Sequence, residues 1–393
     1  MKDAYKHRIY LDHAATTPVS KEVFEAMRPY YTEIFGNPNS QHMFGRDAAK
    51  GLDWARQTIA DCIGAKPNEI YFTSSGTESD NWAVKGACLS RRGQGNHLIT
   101  TKIEHPAIYN SCKQLERYGY KVTYLDVDKD GFVSVEDFEK AITKETIFAS
   151  VMFANNEIGT IQPIKEMAEI ARKKGIVFHT DAVQATGAIK YNVEEFGVSM
   201  LSMSGHKFYG PKGIGVLYIK NGTRIEKFLT GGEQERGQRG GTSNLPSIVG
   251  MATALKNATD NIEANNKKVR ALRDLFVTEI QKRIPEVKLN GTSDFERRLV
   301  NNANFSFRYI EGESILFSLD MANIAASSGS ACSAASLEPS RVLLSIGVPV
   351  GLAHGSLRFS FGIDNTKDEV VYTIDKLVEI VERLRSASPI FNK

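Results

Sequence analysis

In the stretch LSMSGHKFYGPKGIGVLYI, Lys207 follows Ser204 and His206 between two apolar runs, with a proline and several glycines just beyond. A lysine confined on so tight a loop can lose its proton and act as an amine nucleophile or Schiff-base former. In isolation, a lysine that snorkels to solvent reads the same way. KGIVFHTDAVQATG sets Asp181 and Gln184 at the carboxyl end of a buried-type strand, where a carboxylate has few structural uses beyond a salt bridge. EIYFTSSGTESDNWAV opens a helix at Ser75, Gly76 and Thr77, with Glu78 in its first turn. Exposed amides and the helix dipole there suit a phosphate, although an ordinary Ser/Thr cap has the same letters. A lysine for an aldehyde, a carboxylate for a ring nitrogen and donors for a phosphate are what pyridoxal 5'-phosphate requires. In EHPAIYNSCKQL, His105 precedes Pro106 at a natural first helical position, as a cap, a packing residue or a catalyst.

Cys332 stands in ASSGSACSAAS, among serine, glycine and alanine with no bulky apolar neighbour to pack it. It is either an incidental loop thiol or a reactive one on a pliant segment. Cys62, Cys88 and Cys112 lie in helix-like contexts and are expected to be buried as small hydrophobes. Four cysteines in 393 residues, none paired as CxxC, make neither a disulfide framework nor a zinc site, and no metal is expected.

Elements must carry these groups to one place. The runs EIYFTSSG, NHLITTKI, YKVTYLDV, TIFASVMFA and KGIVFHTDA alternate with amphipathic stretches, the signature of an α/β fold. Their lack of polar alternation predicts a mainly parallel central sheet covered by helices, with ligands bound where strands end. From Leu245 to Ile284 the pattern turns helical, and strand-like pieces return at VNNANFSFRY and GSLRFSFG, so a domain change is placed near residue 260.

With 49 basic and 46 acidic residues the net charge is +3, without long blocks of either sign, so no nucleic-acid or membrane partner is implied. MKDAYKHRIYLDHAATTPVS has no secretory-type apolar stretch, and IFASVMFA is far too short to cross a bilayer; a cytoplasmic protein is expected. A reading from another class lies in DVDKDGFVSVED, where Asp126, Asp128, Asp130 and Gly131 fit half of an EF-hand calcium loop. Its closing position is Asp137 rather than Glu, and a turn followed by a helix capped at Ser134 explains the same letters.

Ten ordered motifs, YLDHAATTP, GNPNSQH, FTSSGTESDN, EHPA, NNEIGTIQPI, HTDAVQ, SGHKFYGPKGIG, GGEQERGQRGGTSN, SSGSACS and RFSFG, run nearly end to end. Through them the chain resembles the pyridoxal phosphate-dependent cysteine desulfurases of the NifS/IscS type, within the class V aminotransferases. The resemblance implies the fold type I of pyridoxal phosphate enzymes, with a large cofactor-binding domain over 15–260. A smaller α+β domain would join 1–14 to 261–393 and carry the cysteine loop. It implies that Lys207 holds the cofactor aldehyde and takes the substrate α-proton, while Asp181 keeps the ring nitrogen protonated. Gln184 and Asn156 would bind the ring's phenolic oxygen and the nearby substrate region, and His105 would stack on the ring and carry protons. Gly76, Thr77, Ser204 and His206 would hold the phosphate, joined by Thr242 from the other subunit of a homodimer. Arg358 would grip the substrate carboxylate, its alternative being a surface strand arginine.

On this resemblance Cys332 takes the sulfur of L-cysteine as a persulfide, leaving L-alanine, and passes it to a sulfur-acceptor or iron–sulfur scaffold protein for iron–sulfur cluster or thio-cofactor synthesis. Selenocysteine cleavage and aminotransfer are alternatives on the same fold. The sequence departs from the family in ending at SASPIFNK, without the longer tail that IscS-type members use on their scaffold, which leaves the acceptor open. It also carries Gly240 where many relatives have Ser.

Overall fold

A computed structural model describes residues 8–328 and 338–387. Its strands, in chain order, are β1 (Ile9–Tyr10), β2 (Ile70–Thr73), β3 (His97–Thr101), β4 (Lys121–Leu125), β5 (Thr146–Ser150), β6 (Val177–Asp181), β7 (Met200–Ser204), β8 (Gly215–Ile219), β9 (Val287–Leu289), β10 (Asn302–Phe307), β11 (Ile324–Ala325), β12 (Ser327–Ser328) and β13 (Ser356–Ser360). Seven of them form one sheet in the order β2-β8-β7-β6-β5-β3-β4. Every residue of β3, β5, β6, β7 and β8 is buried, as strands covered on both faces must be. Partial exposure is confined to β2 and β4, the two edges. The sheet is parallel except for β8, which runs antiparallel to both β2 and β7. The β7–β8 link, Gly205–Ile214, is too short for a helical crossover, so the chain must reverse there. Lys207 rides in that reversal, which explains the glycines and proline beside it.

A second sheet, β12-β13-β10-β9, is antiparallel, and β1 pairs in parallel with β11. The helical region resolves into Leu245–Asp260 and Ile262–Arg283, broken at Asn261. The first helix buries Leu245, Ile248, Met251 and Leu255 in the core of the large sheet. The second turns Leu272, Phe276 and Ile280 into a separate core with Ile9, Leu11, Phe305, Phe359 and Phe361. A small cluster joins the two regions, with Ile103, Met152 and Ile158 meeting Val342, Leu343 and Ile346.

The segment weighed as a calcium loop has other work. Asp128 Oδ1 accepts from the backbone N–H groups of Asp130 (2.9 Å) and Phe132 (2.8 Å), closing a turn. Ser134 caps the helix Val135–Ala141 through Asp137 N at 3.1 Å, and Asp126 pairs with Lys102. Among the described residues these carboxylates do not gather as a ligand set. Cys88 and Cys112 are buried and Cys62 half-buried, each in a helix. Among the described residues no helix is long and apolar enough to cross a membrane.

Phe276 anchors the second core, its ring centroid 4.7 Å from Phe359 and 5.4 Å from Phe361. Phe276→Ala should therefore cost about 3–5 kcal/mol in denaturant unfolding, the usual range for emptying a buried aromatic site.

Candidate active site

The carboxyl ends of the parallel strands open into a cavity of about 460 Å³. Gly76, Thr77, His105, Asn156, Asp181, Gln184, Ser204, His206, Lys207 and Arg358 all line it, so the structure gathers every site residue predicted above except Thr242 and Cys332. Thr242 is exposed and lines a separate cleft with Ser74 and Arg239, outside this chain's own cavity. Cys332 lies outside the described residues.

Lys207 Nζ donates to the carbonyls of Ala14 (2.6 Å) and Ala15 (2.7 Å). Gln184 Nε2 donates to the same Ala14 carbonyl at 3.0 Å. The segment that supplies these acceptors is fixed to the lysine turn at Thr17, whose N and Oγ1 both donate to His206 O, at 2.9 and 3.0 Å. Thr16 Oγ1 meets His206 Nδ1 at 3.1 Å. Burial, with Lys207 and Lys212 nearby, takes the His206 pKa down to about 4, so its ring is neutral at pH 7.

Asp181 ends β6, 5% exposed, with Oδ1 accepting from Val183 N at 2.9 Å. Burial raises its pKa, against the pull of His105, that hydrogen bond and Lys207. His105 caps the helix Pro106–Glu116, its Nδ1 accepting from Ala107 N at 3.1 Å. A neutral ring therefore carries its proton on Nε2. Burial is the main cause of a lowered His105 pKa, which keeps that ring neutral. The capping reading of the sequence is borne out, and the same residue lines the cavity.

Ser75 caps the helix Gly76–Leu89, accepting from Glu78 N at 3.1 Å. At Gly76 a Cβ would stand 2.8 Å from Val183 Cγ2, so only glycine lets the helix start come this close to the cavity wall. Arg358 lies on β13, 2% exposed, which removes its reading as a surface arginine. Its NH1 donates to Asn156 O at 3.0 Å and its NH2 to Asp12 Oδ1 at 2.9 Å, while Nε is buried without a hydrogen-bond partner.

Sequence reasoning missed several groups. Ala14 and Ala15 act through carbonyls, which their side chains do not advertise, and Asp12 is recognisable only once Arg358 is placed against it. Three further carboxylates are fully buried around the cavity. Asp80 is pushed well up by burial and Asp181; burial takes Glu104 to about 8 and Glu157 to about 7. Glu157 accepts from Ser340 Oγ at 2.5 Å, and Ser340 caps the helix Arg341–Ser345. Burial is the main cause, and it comes from packing against distant parts of the chain.

Residues 9–372 match the aminotransferase class-V family. A cysteine desulfurase IscS of Clostridium botulinum is 52% identical over 98% of this chain and 97% of its own. Among solved structures, a NifS-like protein superposes with a TM-score of 0.90 at 37% identity, covering 96% of this chain and all (100%) of its own. SspA in complex with cysteine gives 0.80 at 36% identity, covering 91% and 100%. Matched so nearly end to end in sequence and in fold, with a lysine, an aspartate and an arginine brought to one cavity, this chain belongs to the class V aminotransferase family and, within it, to the cysteine desulfurases of the NifS/IscS type.

Proposed function

We propose that the protein removes sulfur from L-cysteine with pyridoxal 5'-phosphate as cofactor, giving L-alanine and a persulfide on Cys332. The convergence of Lys207, Asp181 and Arg358 on one cavity, in a chain of this family, is the observation that carries the reading. The residues fit the cofactor. Gly76 leaves the cradle clear of a Cβ that would crowd Val183, and Arg358 Nε is a buried donor still lacking an acceptor. When bound, pyridoxal phosphate supplies an electron sink for carbon–acid and carbon–sulfur chemistry.

The protein's own groups do the rest. Lys207 would hold the aldehyde, Asp181 the ring nitrogen, and Gln184 with Asn156 the phenolic oxygen and the substrate region beside it. Gly76, Thr77, Ser204 and His206 would take the phosphate, with His206 acting as a neutral hydrogen-bonding ring at pH 7. Arg358 presents a planar fork to the substrate carboxylate. Lys207 Nζ, released from the Ala14 and Ala15 carbonyls, takes the α-proton, and His105 Nε2 carries protons across the cavity. Cys332 Sγ, as thiolate, attacks the substrate sulfur: an S–S bond forms, the C–S bond breaks with its electron pair left on carbon, and protonation of that carbon yields alanine.

We further propose that a sulfur-acceptor protein receives the persulfide, that the protein works in the cytoplasm, and that it is a homodimer. An exposed Thr242 off its own cavity supports the dimer, since a partner subunit could use it. The two hydrophobic cores support a large domain of 15–260 and a smaller one of 1–14 plus 261–393.

Reconstituted Lys207→Ala should lose the visible absorbance of bound cofactor and lower alanine production from cysteine by about a thousandfold or more. Cys332→Ala should keep that absorbance and lose alanine production. Normal turnover by either variant would defeat the assignment. Arg358→Lys keeps the charge but loses the fork, so kcat/KM for cysteine should fall about 10- to 100-fold, the worth of one charged hydrogen bond.

A further inference from the structure

Asp181 is not the only carboxylate in the cavity wall beside the helix Gly76–Leu89. Asp80, one turn into that helix, is 1% exposed and also lines the cavity. One carboxylate oxygen of Asp80, one of Asp181 and a ring nitrogen of His105 lie within 4.8 Å of one another. Asp80 Oδ1 is buried with no hydrogen-bond partner.

The titratable groups facing Asp80 are Asp181 and His179 from β6, and Glu104 and His105 from the turn after β3. None supplies a positive charge. His179 meets Ser150 Oγ and Ser202 Oγ at 2.9 Å each, a pattern that a neutral ring satisfies with one donor and one acceptor, and burial takes its pKa down to about 3. Lys207 acts on Asp181 and His105 instead.

Two carboxylates so close in a buried wall cannot both ionise without a large cost, and their surroundings decide which keeps the proton. Asp181 has the Val183 N–H and the lysine's field, both of which favour its charged form. Asp80 has a hydrogen bond from Ser202 that favours its charged form, but burial, an orphaned oxygen and the acids Asp181 and Glu104 favour the neutral one and outweigh it. We propose that Asp80 is a positioning residue that stays protonated beside Asp181, so that the wall presents one negative charge, not two, to the ring nitrogen of the cofactor. A second full charge would offset the electron-withdrawing pull of a protonated ring nitrogen. This rests on the pyridoxal phosphate reading of the cavity.

The test is Asp80→Asn, which keeps the shape and removes the titration. The folded wild-type protein would hold a proton on Asp80 that the unfolded chain releases near pH 4, so Asp80 makes its stability fall as pH rises above about 4, a contribution that the variant lacks. In paired unfolding measurements on the cofactor-loaded proteins from pH 5 upward, the equilibrium should shift in the variant's favour by about tenfold per pH unit. That trend should continue until Asp80 ionises in the folded state. Asp80→Asn should keep pyridoxal phosphate affinity within about threefold and leave the pH midpoint of the bound-cofactor absorbance in place, while Asp80→Ala weakens that affinity about tenfold, as loss of a buried polar partner does. A wild-type-to-Asn stability gap that stays flat with pH, or an absorbance midpoint moved by a unit or more in Asp80→Asn, would overturn the proposal. So would stoichiometric zinc binding by calorimetry that Asp80→Asn abolishes, since Asp80, His105 and Asp181 would then be a cation site. If the wild-type protein bound no pyridoxal phosphate, the functional reading would fail, while the stability gap of the cofactor-free proteins would still decide the state of Asp80.

Discussion

The two hydrogen bonds from Lys207 Nζ to the carbonyls of Ala14 and Ala15 are the interaction to which the rest of the site is referred. An amine at a buried cavity wall needs its donors met, and here backbone carbonyls from the start of the chain meet them. Those carbonyls are in turn fixed by sheet-like contacts. Leu11 N donates to Ala325 O at 2.9 Å, Ser360 N to Leu11 O at 2.7 Å, and Ala14 N to Ser360 Oγ at 2.8 Å. The lysine turn is thus tied through one short segment to both β11 and β13. Arg358 stands on β13 and bonds Asp12 from the same segment. Moving any one of these groups moves the others, so the separation between amine and guanidinium is set by the seam itself.

Burial explains why so many groups around the seam depart from their ordinary protonation. Desolvation is the leading cause for Asp80, Glu104, Glu157 and Asp181, whose acids it raises, and for His105, His179 and His206, whose bases it lowers. Both trends have one meaning: the wall favours neutral forms, and charge survives where the geometry pairs it. Arg358 with Asp12 is one such place, and the Lys207 field on Asp181 is another. A site of this kind holds few mobile charges, which makes each proton transfer within it count.

Much of this was legible in the sequence because strand runs and turn residues state their purpose locally. The unbroken apolar runs gave a mainly parallel sheet, and Gly210, Pro211 and Gly213 marked a tight loop after the strand that became β7. The antiparallel placement of β8 was not anticipated; it follows from the length of the link rather than from the strand's composition. Lys207, Asp181 and His105 stood out by their local stretches, and Arg358 by the family resemblance, and all four line one cavity, whereas Ala14 and Ala15 were missed because their contribution is backbone. Asp80 escaped for another reason. A carboxylate one turn into a helix is ordinarily solvated, and only the packing of that helix against β6 and β7 removes its water.

The same seam bears on where Cys332 can be served from. The chain before 329–337 ends in β12, where Ser327 is paired with Arg358 itself. Just after it, Ser340 donates to Glu157, a residue of the cavity wall. Arg341 then lies 3.5 Å over the Tyr109 ring and donates to Glu104 O, one residue before His105. Both flanks of the cysteine segment are therefore fastened to the wall that holds the substrate-facing arginine and the histidine cap, by a strand pair on one side and charge-assisted contacts on the other. Glu157, with a pKa raised to about 7, accepts from Ser340 most strongly when ionised. Sign matters here: such a raised acid is neutral below that pH and gains its charge above it, so the hydrogen bond from Ser340 strengthens as pH rises through neutrality.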